Sequence, residues 1–279
     1  MALVAVLALV LGLVLGLESH ARGKHGADFE WTYDRPLAVS EPWFPSPRGG
    51  SSPQWRASYA KAARVVVRMT LAEKVNITTG TGWQMGPCVG NTGAAASVGF
   101  PGLCLQDGPL GVRFADHVSV FPAGITVASS WDRLLMERRG RALASEMRAK
   151  GVNVALGPAV LGGRLAAAGR AWEGFGSDPY LAGVAVGRTV RGIQAQGVVA
   201  CAKHWLANEQ EQFRRPDEAK AQGWPVLDSI SANIGGRALR EIYAWPFMDA
   251  VKEGVGAVMC AYNRLSSYPP IGLGSSQLT

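Results

Sequence analysis

The sequence predicts an α/β fold built around a parallel sheet. Three observations carry that expectation. Helical stretches alternate with short apolar runs, each helix closes on a glycine, and the runs end in polar residues that a core does not need. Residues 131–150 have helical spacing and end at Gly151, ahead of Val-Asn-Val-Ala-Leu-Gly-Pro. Pro179 to Gln196 repeats the pattern, with Asp178 as N-cap, a proline in the first turn, and Gly197 before Val-Val-Ala-Cys-Ala-Lys-His. Ala238 to Glu253 is the third helix, closed by Gly254 and followed by Val-Gly-Ala-Val-Met-Cys-Ala-Tyr-Asn. Near-continuous apolar runs are strands covered on both faces, as crossover helices require. The glycine spacings are unequal, which argues against a repeat array.

The remaining elements follow in chain order. Residues 1–17 are almost wholly apolar, and Ser19-His20-Ala21 puts small residues where a signal peptidase reads, so residues 1–21 are expected to be a cleaved leader. The run is short for a membrane span, which needs about 20 apolar residues. Residues 22–53 are rich in proline and glycine and read as an extended arm, with Trp43 and Phe44 as anchors. Gln54 to Met69 has helical spacing, and Thr70-Leu71-Ala72-Glu73 is a capping-box signature that starts another helix. Residues 78–101 are expected to be loop. Asn76-Ile77-Thr78 is a glycosylation sequon, relevant to a secreted chain.

At 279 residues, 48% hydrophobic and 18% charged, the chain can bury one large core or two modest ones. The formal charge is +7, but basic residues do not cluster beyond the pairs Arg138-Arg139 and Arg214-Arg215, so no nucleic-acid partner is expected. Four cysteines form no CxxC pair. Cys88 and Cys104 flank a loop-like stretch that a disulfide could close in an oxidising compartment. Cys201 and Cys260 lie in apolar runs and read as buried free thiols. No histidine pair has metal spacing, and Gly108-Pro109-Leu110-Gly111 matches neither a dinucleotide fingerprint nor a phosphate loop. No metal or cofactor is expected, and no Gly-x-Ser-x-Gly elbow occurs.

Polar residues at strand ends point to a ligand, because in parallel α/β folds those ends form the binding crevice. Asp107 follows a short apolar run and precedes Gly-Pro; a carboxylate there can accept two hydroxyls, though Asp also caps turns. Arg170 stands beside Trp172 and Phe175, a donor fork next to flat apolar faces, though a surface Arg also packs on Trp in this way. Lys203-His204 and Tyr262-Asn263 end the next two runs, where the alternative for Lys203 and His204 is that they simply emerge into solvent. A set of Asp, Arg, Lys, His and Tyr suits a neutral polyhydroxylated ligand.

Seven blocks then stand in order: MTLAEKVNITTGTGW, GLCLQDGPLGVR, FPAGITVASSWD, GRAWEGFGSDP, GVVACAKHWLANEQEQFR, REIYAWPFMDAV and GVGAVMCAYN. Together, from about Trp43 to Asn263, they resemble glycoside hydrolase family 3, in particular fungal β-glucosidases. The resemblance implies a (β/α)8 TIM-type barrel, incomplete here, over residues 54–263. It implies retaining hydrolysis of terminal β-glucosyl residues of β-glucosides or oligosaccharides by an extracellular enzyme, with no cofactor and no membrane attachment once the leader is removed. It places Asp107, Arg170, Lys203 and His204 on the family's sugar-hydroxyl ligands, and Arg113, Met259 and Tyr262 along the same pocket. It also implies a Cys88–Cys104 disulfide.

The departures set a second expectation. The family's nucleophile lies in a Ser-Asp-Trp block on the strand after the one ending at Tyr262, and no such triplet occurs in the 279 residues. The partner acid/base carboxylate has no match either, so no catalytic residue is assigned. Residues 264–279 read as an aberrant tail, and the chain is expected to be inactive by itself. A non-catalytic sugar-binding protein, or a fragment without function, is the alternative. Gly108, Ala171 and Gln212 replace the family's usual Ser, Asn and a frequent His.

Overall fold

The computed structural model describes residues 52–161, 165–224 and 230–265. The leader expected at 1–21, nearly all of the arm at 22–53, and residues 266–279 of the tail lie outside the described residues.

Two helices come first, α1 (Pro53–Val66) and α2 (Leu71–Thr79). Ser52 caps α1, and Thr70 with Glu73 closes the expected capping box on α2 in both directions. The short strands β1 (Gly90–Asn91) and β2 (Cys104–Asp107) follow and pair antiparallel. Residues 78–101 are therefore not all loop: they hold β1 and a 3-10 turn at Ala96–Val98. The Cys88–Cys104 disulfide, with Cα atoms 5.6 Å apart, ties this segment to the start of β2.

Next come α3 (Gly124–Ala128), α4 (Arg133–Ala149), β3 (Val154–Leu156), α5 (Pro179–Gln194) and β4 (Val199–Trp205). Asp132 and Asp178 cap α4 and α5 with their carboxylates, and Gly151 and Gly197 follow the helices with positive φ. The third expected helix is broken into α7 (Gly236–Ala238), a π turn at Leu239–Tyr243, and α8 (Trp245–Lys252). Pro246 explains the break, because it has no N–H to continue the ladder and its ring crowds the preceding turn. Between β4 and α7 lie α6 (Pro216–Ala221) and β5 (Ser231–Ala232); β6 (Ala257–Cys260) and β7 (Arg264–Leu265) complete the described elements. β7 pairs with β5, so the first two residues of the segment expected to be an aberrant tail form a short parallel ladder.

The main sheet runs β1-β2-β3-β4-β6, parallel from β2 onward, with Asp107 opposite Leu156 and Lys203 opposite Met259. Two-residue alternation sorts its faces. Ala155, Ala200 and Ala202 meet the helices, where Met136, Leu143 and Met147 of α4 pack with Val186, Val190 and Ile193 of α5. α4 and α5 approach closely because Gly192 lies against the chain: a Cβ there would sit 2.3 Å from the Glu137 carbonyl oxygen. The opposite face carries Val154, Leu156 and Cys201, packed with Leu105, Ala257 and Met259.

Cys260 corrects one expectation. It is exposed, while Cys201 is buried as predicted. β6 pairs with β4 on one side only among the described strands, and no described helix covers Val258 or Cys260 on its outer face. An apolar run identifies a strand but not what lies over it.

The disulfide gives a stability prediction. It closes a loop across a sequence separation of 16, for which lost unfolded-state entropy amounts to about 3 kcal/mol. Replacing both cysteines with serine should lower the urea-unfolding free energy by roughly 2–3 kcal/mol. Equal stability in oxidised wild type and the double variant would show that the link contributes nothing.

Candidate active site

The site stands at the C-terminal ends of β2, β4 and β6. Leu105 and Asp107, Cys201 and Lys203, and Ala257 and Met259 share the face away from the helices. Asp107, Lys203 and Met259 therefore crown an apolar stack. β2 and β4 are separated by β3, a gap of about 9.5 Å, so only a long side chain can cross it. Lys203 does so: its Nζ lies 2.5 Å from Asp107 Oδ1.

Lys203 is only 2% exposed, which makes that pairing obligatory for a charged ammonium. Arg113 adds a contact of 3.1 Å to Asp107 Oδ2, and the Gly108 N–H donates to Oδ1 at 3.0 Å. Burial pushes the Asp107 carboxyl upward, but Lys203, Arg113 and the Gly108 N–H together outweigh it and hold the group below its usual range. Asp107 is thus an anion fixed in place, with lone pairs remaining for hydroxyl donors. Gly108 has φ +135, and a Cβ there would meet the Gly111 carbonyl oxygen at 1.6 Å, so this turn has no room for a serine.

His204 follows Lys203 across a cis peptide bond and is equally buried. Its Nδ1 has no hydrogen-bond partner among the described residues. Burial, reinforced by the positive charges of Arg170, Lys203 and Arg214, lowers its pKa to about 3. The imidazole is therefore neutral near pH 7, one ring nitrogen donating and the other accepting. Tyr262 lies beside it, ring centroids 5.9 Å apart.

Arg170 comes from the loop after β3, at the start of a 3-10 turn over Ala171–Glu173. Its Nε and Nη2 donate to the two Glu173 oxygens at 2.6 and 2.8 Å. Burial lowers the Arg170 pKa, yet the bonds and charge of buried Glu173, with Glu211 beyond, reverse that and raise it. Arg170 Nη1 is 3.9 Å from Glu211 Oε1. Glu211 also accepts from Arg214 at 2.7 Å, and the Arg214 guanidinium lies 4.1 Å from the centre of the Tyr262 ring.

The structure thus brings Asp107, Arg113 and Lys203 into direct contact, and it gathers Arg170, His204 and Tyr262 around a second focus. His204 joins the two, because it feels the charges of both Asp107 and Arg170. Met259 is half-buried beside them on β6. No group of three or more metal-ligating side chains forms among the described residues.

Residues 98–278 match the model of the glycosyl hydrolase family 3 N-terminal domain. The chain belongs to glycoside hydrolase family 3. It is 52% identical over 267 residues to a probable β-glucosidase E of Aspergillus oryzae, covering 95% of this chain and 25% of that protein. A solved family 3 β-glucosidase of Neurospora crassa superposes with a TM-score of 0.78 at 47% identity, covering 83% of this chain and 28% of its own. β-Glucosidase 3B of Thermotoga neapolitana, solved in complex with α-D-glucose, gives 0.65 at 35% identity over 74% of this chain and 30% of its own. The chain spans about a quarter of the length of these relatives. The curled sheet and its covering helices are part of a family 3 (β/α)8-type barrel.

Sequence reasoning missed Glu173, Glu211 and Arg214 as parts of this arrangement. A signal existed: Arg170/Glu173 and Glu211/Arg214 are opposite charges three residues apart. Such spacing is common on solvated helices, and nothing in it shows that both pairs face one pocket.

Proposed function

We propose that this chain forms the glucose-holding part of a β-glucosidase site, with Asp107, Arg113, Arg170, Lys203, His204, Met259 and Tyr262 as the pocket. The observation that carries this is the buried Asp107–Lys203 pair beside neutral His204, whose Nδ1 has no hydrogen-bond partner among the described residues, at strand ends of a family 3 barrel. Anionic Asp107 accepts hydroxyl protons, Lys203 and Arg170 donate to hydroxyl oxygens, and His204 does either. Charged partners strengthen each hydrogen bond, while their mutual neutralisation leaves no strong net field against an uncharged sugar.

Retaining hydrolysis needs two carboxyl groups about 5–5.5 Å apart, one attacking and one protonating the leaving oxygen. Asp107 is held by Lys203 and Arg113, Glu173 by Arg170, Glu211 by two arginines, and Glu209 accepts from Tyr243. None matches a family catalytic position, and the 279 residues contain no Ser-Asp-Trp block. Hydroxyl ligands alone stabilise bound sugar and transition state alike, which does not drive chemistry. The 279-residue polypeptide accordingly binds glucose without turning over β-glucosides.

The test is to incubate this polypeptide with an aryl β-glucoside and to titrate it with glucose by NMR. Binding without turnover is expected. Robust turnover abolished by Asp107→Ala would mean that the nucleophile lies among these residues. Export with removal of residues 1–21, residues 54–263 as the barrel portion, and glycosylation at the exposed Asn76 belong to the same proposal. An N-terminus other than Arg22 in secreted material would count against the export step.

A further inference from the structure

Glu211 stands between Arg170 and Arg214. One carboxylate oxygen accepts from Arg214 at 2.7 Å; the other accepts from Asn208 Nδ2 at 3.0 Å and faces Arg170 Nη1 at 3.9 Å. The central carbon of the Arg214 guanidinium lies over the Tyr262 ring, 4.1 Å from its centre. Tyr262 is 44% exposed, has a ring neighbour only in His204 among the described aromatic rings, and lies two residues beyond the end of β6, a strand paired on one side among the described strands. Arg170 also feels the Tyr262 side chain, so the ring sits among Arg170, Arg214 and His204.

We propose that Glu211 is a positioning residue: by neutralising Arg170 and Arg214 together, it holds Arg214 over Tyr262 and so sets the Tyr262 ring against His204. Two guanidinium groups converging on one carboxylate would repel each other if it lost its charge. Arg214 is the freer of the two, because Arg170 is clamped by Glu173 through two short hydrogen bonds. Arg214 is therefore the group that departs, and the cation–π contact departs with it. The Glu211 effect thus reaches the pocket through Arg214 and Tyr262 and involves no contact between Glu211 and the sugar. Asn208 reinforces the arrangement, since its side chain is buried and its amide fixes the Glu211 carboxylate from the β4 side.

This inference rests on the pocket being the glucose site only for its effect on binding; the coupling of Glu211 to Tyr262 stands apart from it. The test is a double-mutant cycle on the full 279-residue chain with Glu211→Gln, Arg214→Met and the pair. Tyrosine-ring NMR signals, assigned with Tyr262→Phe, are read first without sugar. Both single variants should move the Tyr262 signals to the same position, and the double variant should add nothing. Glucose affinity should fall about tenfold in each single variant and no further in the pair. Tyr262 signals unmoved in folded Glu211→Gln would overturn the proposal, and so would additive losses in the pair. A Glu211 that served only stability would lower the unfolding midpoint and leave the folded ring signals in place. If wild type does not bind glucose, the sugar-site reading fails while the ring signals still decide the role of Glu211. If Glu211→Gln does not fold, Glu211→Asp is too short to serve both arginines and should displace the same signals; unchanged signals there are equally fatal.

Discussion

Replacing Lys203 with methionine should abolish glucose binding and destabilise the folded chain by about 3 kcal/mol. The ammonium is almost completely buried, and its partner Asp107 has a side chain only 14% exposed. Methionine preserves the length and apolar contacts of the stem, so cavity formation contributes little. What changes is the charge left behind. Arg113 remains on Asp107 Oδ2, but its own side chain is 54% exposed, and a solvated guanidinium compensates a buried carboxylate far less well than a buried ammonium does. Asp107 must then either stay ionised at a cost or take up a proton, which its present partners prevent. Urea unfolding near pH 7 measures the loss. Adding Asp107→Asn to Lys203→Met should recover part of it, because the uncompensated charge disappears with the carboxylate. A Lys203→Met variant within about 1 kcal/mol of wild type that still binds glucose would remove the ion pair from both roles.

The position of Lys203 was legible because an ammonium at the end of an apolar run contradicts the local pattern, and such contradictions collect at functional sites. Asp107 had the same visibility, on a strand whose neighbours Leu105 and Gln106 are buried or half-buried. The helix–glycine–strand rhythm located β3, β4 and β6 because the closing glycines and the apolar runs agree at all three, and Asp178 marks the start of the helix before β4 as well. Two features were not legible, for different reasons. Whether Cys260 is covered depends on what packs over β6, and a strand's own residues cannot specify its neighbour. The break in the third helix was visible in principle at Pro246, but the apolar periodicity continues through it: Leu239, Tyr243, Phe247 and Ala250 are all buried. The hydrophobic face is shared by the π turn and α8, so periodicity persists where the ladder does not.

Glu211 and Arg214 were illegible for a third reason. Residues 208–215 read Asn-Glu-Gln-Glu-Gln-Phe-Arg-Arg, a mostly polar and charged string with one aromatic residue that resembles many solvated loops. Their meaning comes from Tyr262, which reaches the same place from β6 across the sheet. Long-range convergence of this kind has no one-dimensional signature. It also divides the site into a rigid part and an adjustable part: Asp107 and Lys203 stand on paired strands, whereas the arginines and Tyr262 lean on one another from loops.

Acid should destabilise the chain mainly through His204, by about 2.5 kcal/mol between pH 7.5 and pH 4.5. The unfolded imidazole titrates near its ordinary value of 6.5, while the folded one is depressed to about 3. Between those values the unfolded chain binds a proton that the folded chain refuses, so stability falls as pH falls, by up to about 1.4 kcal/mol per unit. The contribution is complete above pH 6.5, is lost progressively below it, and levels off beneath the folded pKa, where both states are protonated. Burial is the main cause, and Arg170, Lys203 and Arg214 add repulsion that Asp107 only partly offsets. Asp107 acts in the same direction in more acidic solution, because its own depressed pKa makes protonation of the folded state costly. Urea-unfolding free energies measured across this range for wild type and His204→Gln separate the two: the variant should lose the slope between pH 6.5 and 4.5 and keep the fall at lower pH. A wild-type stability that stays level down to pH 4.5 would mean that His204 accepts a proton in the folded state, and the pocket would then present a cation where a neutral hydrogen-bonding ring is inferred.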